Sequence, residues 1–229
     1  MNKIERFMRR YLRARGYAVS LGKANYTDEG FHVARFANYS QYVSVQTEAN
    51  KQKIKQVWAD EATTDLICDY LKLKNPTLKA GLCHGSRNGT EVRWFSEKLG
   101  VPVVGTDISE TAPEFGLVKW DFHDTNPDWI GKFDFIYTNS HDHAFDPKKA
   151  FDAWVGQLAP GGRLIIEHTE GHAEDAITPT DPFGVAPQVF PYVILQFGGG
   201  VYAVTECIRP EHKKGGYSIW IFVIQRLDG

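Results

Sequence analysis

Leu78-Lys79-Ala80-Gly81-Leu82-Cys83-His84-Gly85-Ser86-Arg87-Asn88-Gly89-Thr90-Glu91-Val92 joins a short apolar run to a helical pattern through a glycine-containing turn. A strand that feeds a helix through such a loop leaves free backbone N–H groups at the helix start and lets a ligand come close to the chain. Gly85 and Gly89 are spaced as the outer pair of a nucleotide-binding G-x-G-x-G loop, with Arg87 in the middle position. The pattern by itself does not decide between a ligand loop and a turn required only by geometry.

The alternation begun here continues toward the C-terminus. Residues 78–83 read as a strand, 90–99 as a helix, 101–106 as a second strand ended by Asp107, and 118–122 as a short third strand. Residues 133–138 read as a fourth strand and 147–158 as a helix, and Pro160-Gly161-Gly162 turns into a fifth strand at 163–167. Strands alternating with helices predict a mainly parallel sheet covered on both faces. Two β-rich runs, 201–208 and 217–227, are joined by a Pro- and Gly-containing linker that suits an antiparallel hairpin. Between them and the fifth strand, 169–190 reads as loop and 193–197 is apolar but short.

Toward the N-terminus, Ile54, Val57, Trp58, Ala62, Leu66, Ile67 and Leu71 follow helical spacing over 53–73, stopped by Asn75-Pro76. Residues 16–50 scatter aromatic side chains among turn formers, and 31–36 and 41–45 read ambiguously as short strands. This segment either covers a substrate pocket or packs in the ordinary way. Residues 3–15 set Ile4, Phe7, Met8, Tyr11 and Leu12 on one helical face and arginines on the other. That face suits a peripheral membrane contact or a partner; we favour a helix lying on the domain or on a second copy of the chain. The chain thus divides into an N-terminal extension, 1–52, and a main domain, 53–229.

At 229 residues the chain can bury a sizeable core. A net charge of −2 gives no reason to expect a nucleic-acid partner. The 3 cysteines lack the number and spacing for a disulfide framework or a cysteine zinc site, which suits a reducing compartment. No apolar run approaches a membrane span, and the charged N-terminus lacks a signal-peptide core. A cytoplasmic protein is the expectation.

In an open parallel sheet, ligands bind at the carboxyl ends of the strands where strand order reverses. The glycine loop, Asp107, Asp121 and Asn139-Ser140-His141 all fall at such ends. A carboxylate ending the second strand, about 20 residues beyond a glycine loop, is placed to accept hydrogen bonds from a ribose diol.

Here the sequence resembles the class I S-adenosylmethionine-dependent methyltransferases, chiefly over residues 78–167. Cys83-His84-Gly85-Ser86-Arg87-Asn88-Gly89 looks like the first motif of that family, and Val103-Val104-Gly105-Thr106-Asp107-Ile108-Ser109 like its second. Trp120-Asp121-Phe122 matches the adenine site, Phe133–Tyr137 with Asn139 and Ser140 the fourth motif, and Leu158-Ala159-Pro160-Gly161-Gly162 the turn before the fifth strand. The resemblance implies a doubly wound, mainly parallel seven-stranded Rossmann-like α/β sheet with a C-terminal antiparallel hairpin, besides the N-terminal helical extension. It implies S-adenosyl-L-methionine as cofactor, held by His84, Gly85, Ser86, Arg87, Gly89, Asp107, Ile108, Asp121, Phe122, Asn139 and Ser140. Two departures stand out: Cys83 replaces the acid that begins the first motif, and Arg87 its middle glycine. Without that acid, the contact to the amino end of the cofactor falls to backbone groups, His84 or Asn139. A dinucleotide-dependent dehydrogenase explains the glycines and Asp107 but neither Pro160-Gly161-Gly162 nor the hairpin.

Methyl transfer needs an exposed methyl, a nucleophile in line with it, and often a base. His141 and His143, after the fourth strand, are the candidates for that base, since imidazole titrates near neutrality. A second cluster, Glu167-His168-Thr169-Glu170-Gly171-His172, follows the fifth strand and should line the same rim. Such residues are also metal ligands, but we assign no metal from sequence, and the six tryptophans read as core. The expected function is methyl transfer to a small or medium polar acceptor, foremost to oxygen, with a sugar or glycoconjugate among the candidate acceptors. The alternative is a non-catalytic partner module that keeps the cofactor fold.

Overall fold

The computed structural model describes residues 30–227, and the basic helix expected at 3–15 lies outside them. Its sheet is built from β2 (Gly81–His84), β3 (Val103–Asp107), β4 (Val118–Lys119), β5 (Phe133–Thr138), β6 (Leu158–Thr169), β8 (Tyr202–Ile208) and β9 (Ile219–Arg226). They lie in the order β4-β3-β2-β5-β6-β9-β8. The first five pair in parallel, while β9 runs antiparallel to both β6 and β8. Strand order therefore reverses between β2 and β5, and the crevice for a ligand opens there. A two-stranded antiparallel ribbon joins β1 (Phe31–Val33) to β7 (Phe183–Val185).

Both sheet faces are buried, which explains why these strands read as nearly continuous apolar runs. Successive residues alternate between two cores. Leu82, Ile136, Leu164 and Phe222 pack with Phe151 and Trp154 of α4 (Pro147–Gln157) and Phe190 and Val193 of α5 (Phe190–Gly198). Their neighbours Cys83, Phe135, Ile165 and Val223 face Ile67 and Leu71 of α2 (Glu61–Lys74) and Phe95 of α3 (Thr90–Leu99). No described helix is long and apolar enough to cross a membrane.

Residues 41–45, ambiguous as a strand, belong to the helix α1 (Tyr39–Gln52). Asn38 caps it by accepting from the Gln41 N–H at 2.9 Å. Its buried side chains are Tyr42, Gln46, Thr47 and Asn50, mostly polar, so a helical period of apolar residues never arose in the sequence. The helix expected from residue 53 starts only at Glu61, because Asp60 caps it by accepting from the Thr63 N–H at 2.8 Å. Ile54, Val57 and Trp58 lie in the preceding loop. The region expected as loop holds β7, and the short apolar run after it is the middle of α5. The Pro160-Gly161-Gly162 turn is a bulge inside β6, between the pairs Phe133–Leu158 and Phe135–Arg163.

Candidate active site

The glycine loop leaves β2 at the sheet reversal and enters α3. Gly85 has φ +72°, and a Cβ there would stand 2.6 Å from the Cβ of Ser140, so no larger residue fits. The Ser140 hydroxyl donates to the Gly85 carbonyl at 3.1 Å. Arg87 has φ +43°, the one positive φ outside glycine among the described residues. An L-residue pays about 1–2 kcal/mol for that conformation. The loop is held by the Arg87 N–H, which donates to Asp107 Oδ2 at 2.9 Å, and by its guanidinium, which donates to the Gln56 carbonyl at 3.1 Å. The side chain in the middle-glycine position thus reaches toward residues 53–60.

Asp107 ends β3 and is buried. Besides Arg87 it accepts from the Ser109 N–H and from Asn50 Nδ2 of α1, both at 2.9 Å. Burial raises its carboxyl above the ordinary range, and these donors oppose the shift. Asp121, beyond β4, accepts from the Tyr39 hydroxyl and the His123 ring, each at 2.6 Å. Burial alone would raise Asp121; the His123 and Tyr39 contacts outweigh it and leave the pKa lowered. Ile108 and Phe122 complete this wall, and α1 lies across it, leaving a crevice of about 40 Å³.

The crevice shares Lys53, Gly85, Arg87 and His143 with a larger cavity of about 360 Å³. Asn139, Ser140, Asp142, His143, His172 and Asp181 form one wall of that cavity, with Ser86 and Glu91 near the loop. His143 is half-buried, its Nε2 standing 3.5 Å from Asp181 Oδ1 and 3.8 Å from Asp142 Oδ1. Burial lowers its pKa to about 4, although Asp181 pulls the other way, so the ring is neutral at physiological pH.

Ten of the thirteen sequence candidates divide from three others. Gly85, Ser86, Arg87, Asp107, Ile108, Asp121, Phe122, Asn139, Ser140 and His143 line the two spaces; Gly89 lines neither and serves as the left-handed cap of α3. His84 points into the core, its ring bonded to Thr106 Oγ1 and Gln157 Oε1, each at 2.9 Å. His141 is fully buried behind the wall, its Nε2 2.8 Å from His168 Nδ1. The two rim clusters do meet, but only His143 and His172 of their histidines reach the cavity. Glu167 faces inward, bonded to Tyr137 at 2.6 Å and to Lys214. Among the tryptophans, Trp58 lines the cavity and is 40% exposed.

Glu91 was missed in the sequence. It sits in the first turn of α3, only 6% exposed, and burial pushes its carboxyl up to about 7. After burial, its charge is the largest influence on the Cys83 thiol, whose pKa is raised well above the ordinary value. A carboxyl group therefore lies within electrostatic reach of the position where the first motif lacks one. The available signal was an acid in the first turn after the glycine loop, which reads equally as a helix-dipole partner. Asp181 was also missed, since it lies in a proline-bearing loop and not at a strand end.

The strand order and the crevice at its reversal define the fold of the class I S-adenosylmethionine-dependent methyltransferases. No protein-family model and no curated protein matches the chain, but solved structures do. One is the 1,6-didemethyltoxoflavin-N1-methyltransferase of Burkholderia thailandensis with 1,6-didemethyltoxoflavin and S-adenosylhomocysteine bound, 17% identical, covering 85% of this chain and 93% of that one, TM-score 0.66. Another is the N-methyltransferase NodS of Bradyrhizobium japonicum in complex with S-adenosylhomocysteine, 14% identical over 80% and 99%, TM-score 0.59. The [4+2]-cyclase SpnF is 12% identical over 87% and 99%, TM-score 0.61. At such identities the likeness is one of fold, and a cyclase among the neighbours shows that this fold does not fix the reaction.

Proposed function

We propose that the protein is an S-adenosyl-L-methionine-dependent methyltransferase acting on the oxygen of a small polar acceptor, such as a sugar. The observation that carries this reading is the continuity of two spaces at the sheet reversal. One is walled by the Gly85 loop, Asp107 and Asp121; the other is walled by Asn139 and His143. The two methyltransferase neighbours described above hold S-adenosylhomocysteine, which supports the choice of cofactor.

The residues present fit that group. A carboxylate offers about four acceptor sites, and Asp107 has three donors on it, which leaves capacity for a ribose hydroxyl. Ile108 and Phe122 supply apolar faces for a purine near Asp121. The buried Glu91 carboxyl meets the amino end, in place of the acid lost at Cys83. Tyr42, Gln46, Ala49 and Asn50 of α1 lie over the crevice, and we read this helix as a cover that draws back on binding. When bound, the cofactor supplies an electrophilic methyl on a sulfonium. Asn139 and Ser140 shape the passage between the spaces, and His143 promotes loss of the proton from the acceptor hydroxyl. His141, sealed from the cavity, supports the wall.

Methyl-labelled cofactor incubated with a panel of hydroxylated and amino acceptors tests the reading. Label appearing as an O-methyl product, lost in His143→Ala, supports it. Cofactor binding without transfer to any acceptor supports the non-catalytic module instead.

A further inference from the structure

We infer that Asp142, His143 and Asp181 bind a divalent cation on the wall of the acceptor cavity. Each residue offers a ligand atom within 4.8 Å of the other two. His143 Nε2 is 3.5 Å from Asp181 Oδ1 and 3.8 Å from Asp142 Oδ1, separations too long for good hydrogen bonds. They are close to the edge of a tetrahedron whose metal–ligand bonds are about 2.1 Å, which is about 3.5 Å.

The atoms facing the cluster lack other partners. Asp142 is 7% exposed, and its buried Oδ1 accepts no hydrogen bond. Leaving a buried carboxylate oxygen unpaired is costly unless a proton or a cation meets it. Among the described residues, neither Asp142 nor Asp181 forms an ion pair with a lysine or arginine.

The far oxygens are held from behind. Asp181 Oδ2 accepts from Thr178 Oγ1 at 2.7 Å and Thr180 Oγ1 at 3.1 Å, which turns Oδ1 to His143. His172 accepts from the Thr169 N–H at Nδ1, so its proton sits on Nε2, 3.8 Å from Asp142 Oδ2. Outer hydrogen bonds that aim carboxylates in this way are the usual support of metal ligands. In the neighbouring group His141, His168 and His172, His141 Nε2 and His168 Nδ1 bond to each other and His172 Nδ1 accepts from the Thr169 N–H, and the group lies behind the cavity wall save for His172.

Two carboxylate oxygens and one imidazole suit a first-row divalent cation of the Mn²⁺ to Zn²⁺ range. Three protein ligands beside an open cavity leave positions for a substrate oxygen, as in catalytic and not structural sites. The role of the cation rests on the methyltransferase reading; its binding does not. A coordinated acceptor hydroxyl gives up its proton to solvent more readily. His143 would then act as a ligand, its Nε2 taken by the metal.

The test is Mn²⁺ titration of the chelator-stripped full chain, read by the electron paramagnetic resonance signal of free Mn²⁺, with Zn²⁺ as competitor. The expected result is one site per chain, with affinity lowered at least tenfold in Asp181→Asn and in Asp142→Asn. The carboxylate variant Glu206→Gln, on β8, binds as the parent does. Pulsed spectra show coupling to an imidazole nitrogen that disappears in His143→Gln. Absence of a bound ion, or unchanged binding in a folded Asp181→Asn variant, overturns the site. S-adenosylhomocysteine titrated into the same metal-free chain separates the two readings: binding there with no metal site sinks the cation alone, and a metal site without that binding sinks the methyltransferase alone.

Discussion

Asn50 of α1 donates its side-chain amide to Asp107 Oδ1 at the end of β3, 2.9 Å away. The Thr111 hydroxyl donates to Asn50 Oδ1 at 3.3 Å and so fixes which way the amide points. A helix from the N-terminal segment thereby occupies an acceptor position on the carboxylate assigned to a ribose. If a bound ribose displaces this amide, removing it lowers the cost of binding. Asn50→Ala is expected to bind S-adenosylhomocysteine several-fold tighter, about 0.5–1.5 kcal/mol, the net worth of one hydrogen bond. Calorimetry checks it; weaker binding would mean that the amide itself holds the cofactor.

Glu91 is assigned to the amino end of the cofactor. Glu91→Gln is therefore expected to weaken S-adenosylmethionine and S-adenosylhomocysteine binding by about 1.5–3 kcal/mol, the range of hydrogen bonds to charged groups. Binding of 5′-methylthioadenosine, which lacks the amino acid end, should not change. Equal losses for all three ligands would place Glu91 in a structural role.

The same carboxyl makes stability depend on pH. Its folded pKa is raised to about 7 by burial, so the folded state holds the proton more tightly than the unfolded chain does. The contribution is fully present below the ordinary carboxylate range and is lost as pH rises through about 7. Denaturant unfolding should show Glu91→Gln removing a decline in stability of up to about 3 kcal/mol between about pH 5 and about pH 8. A variant with the same pH profile as the parent would show that Glu91 is not held protonated.

His141 and His143 should separate cleanly. His143→Ala is expected to keep cofactor affinity and lose turnover. His141→Ala empties a fully buried site beside Phe183 and Phe190 and should cost about 2–4 kcal/mol of stability. Paired melting and turnover measurements decide; loss of turnover in a fully stable His141→Ala protein would return that residue to the reaction.

The sequence made the sheet legible because both of its faces are buried. Strands such as 133–138 and helices such as 90–99 carry apolar runs or periods that no alternative explains. It concealed α1, whose inward face is Tyr42, Gln46, Thr47 and Asn50, chosen to cover a polar site instead of a core. The strand-end carboxylates Asp107 and Asp121 were visible by spacing from the glycine loop. Glu91 and Asp181 were not, since their meaning depends on long-range packing: one beside Cys83, the other against His143. His84 and His141 show the converse, motif neighbours whose side chains the β-strand alternation and a buried turn direct inward.

The central claim is that the crevice at the sheet reversal holds S-adenosylmethionine through Asp107. Isothermal calorimetry of the full chain with S-adenosylhomocysteine tests it most directly. The account predicts one site per chain, weakened by about 1–3 kcal/mol in Asp107→Ala through loss of charge-assisted hydrogen bonds. Absence of binding for both S-adenosylhomocysteine and S-adenosylmethionine, or an affinity untouched by Asp107→Ala, would contradict it.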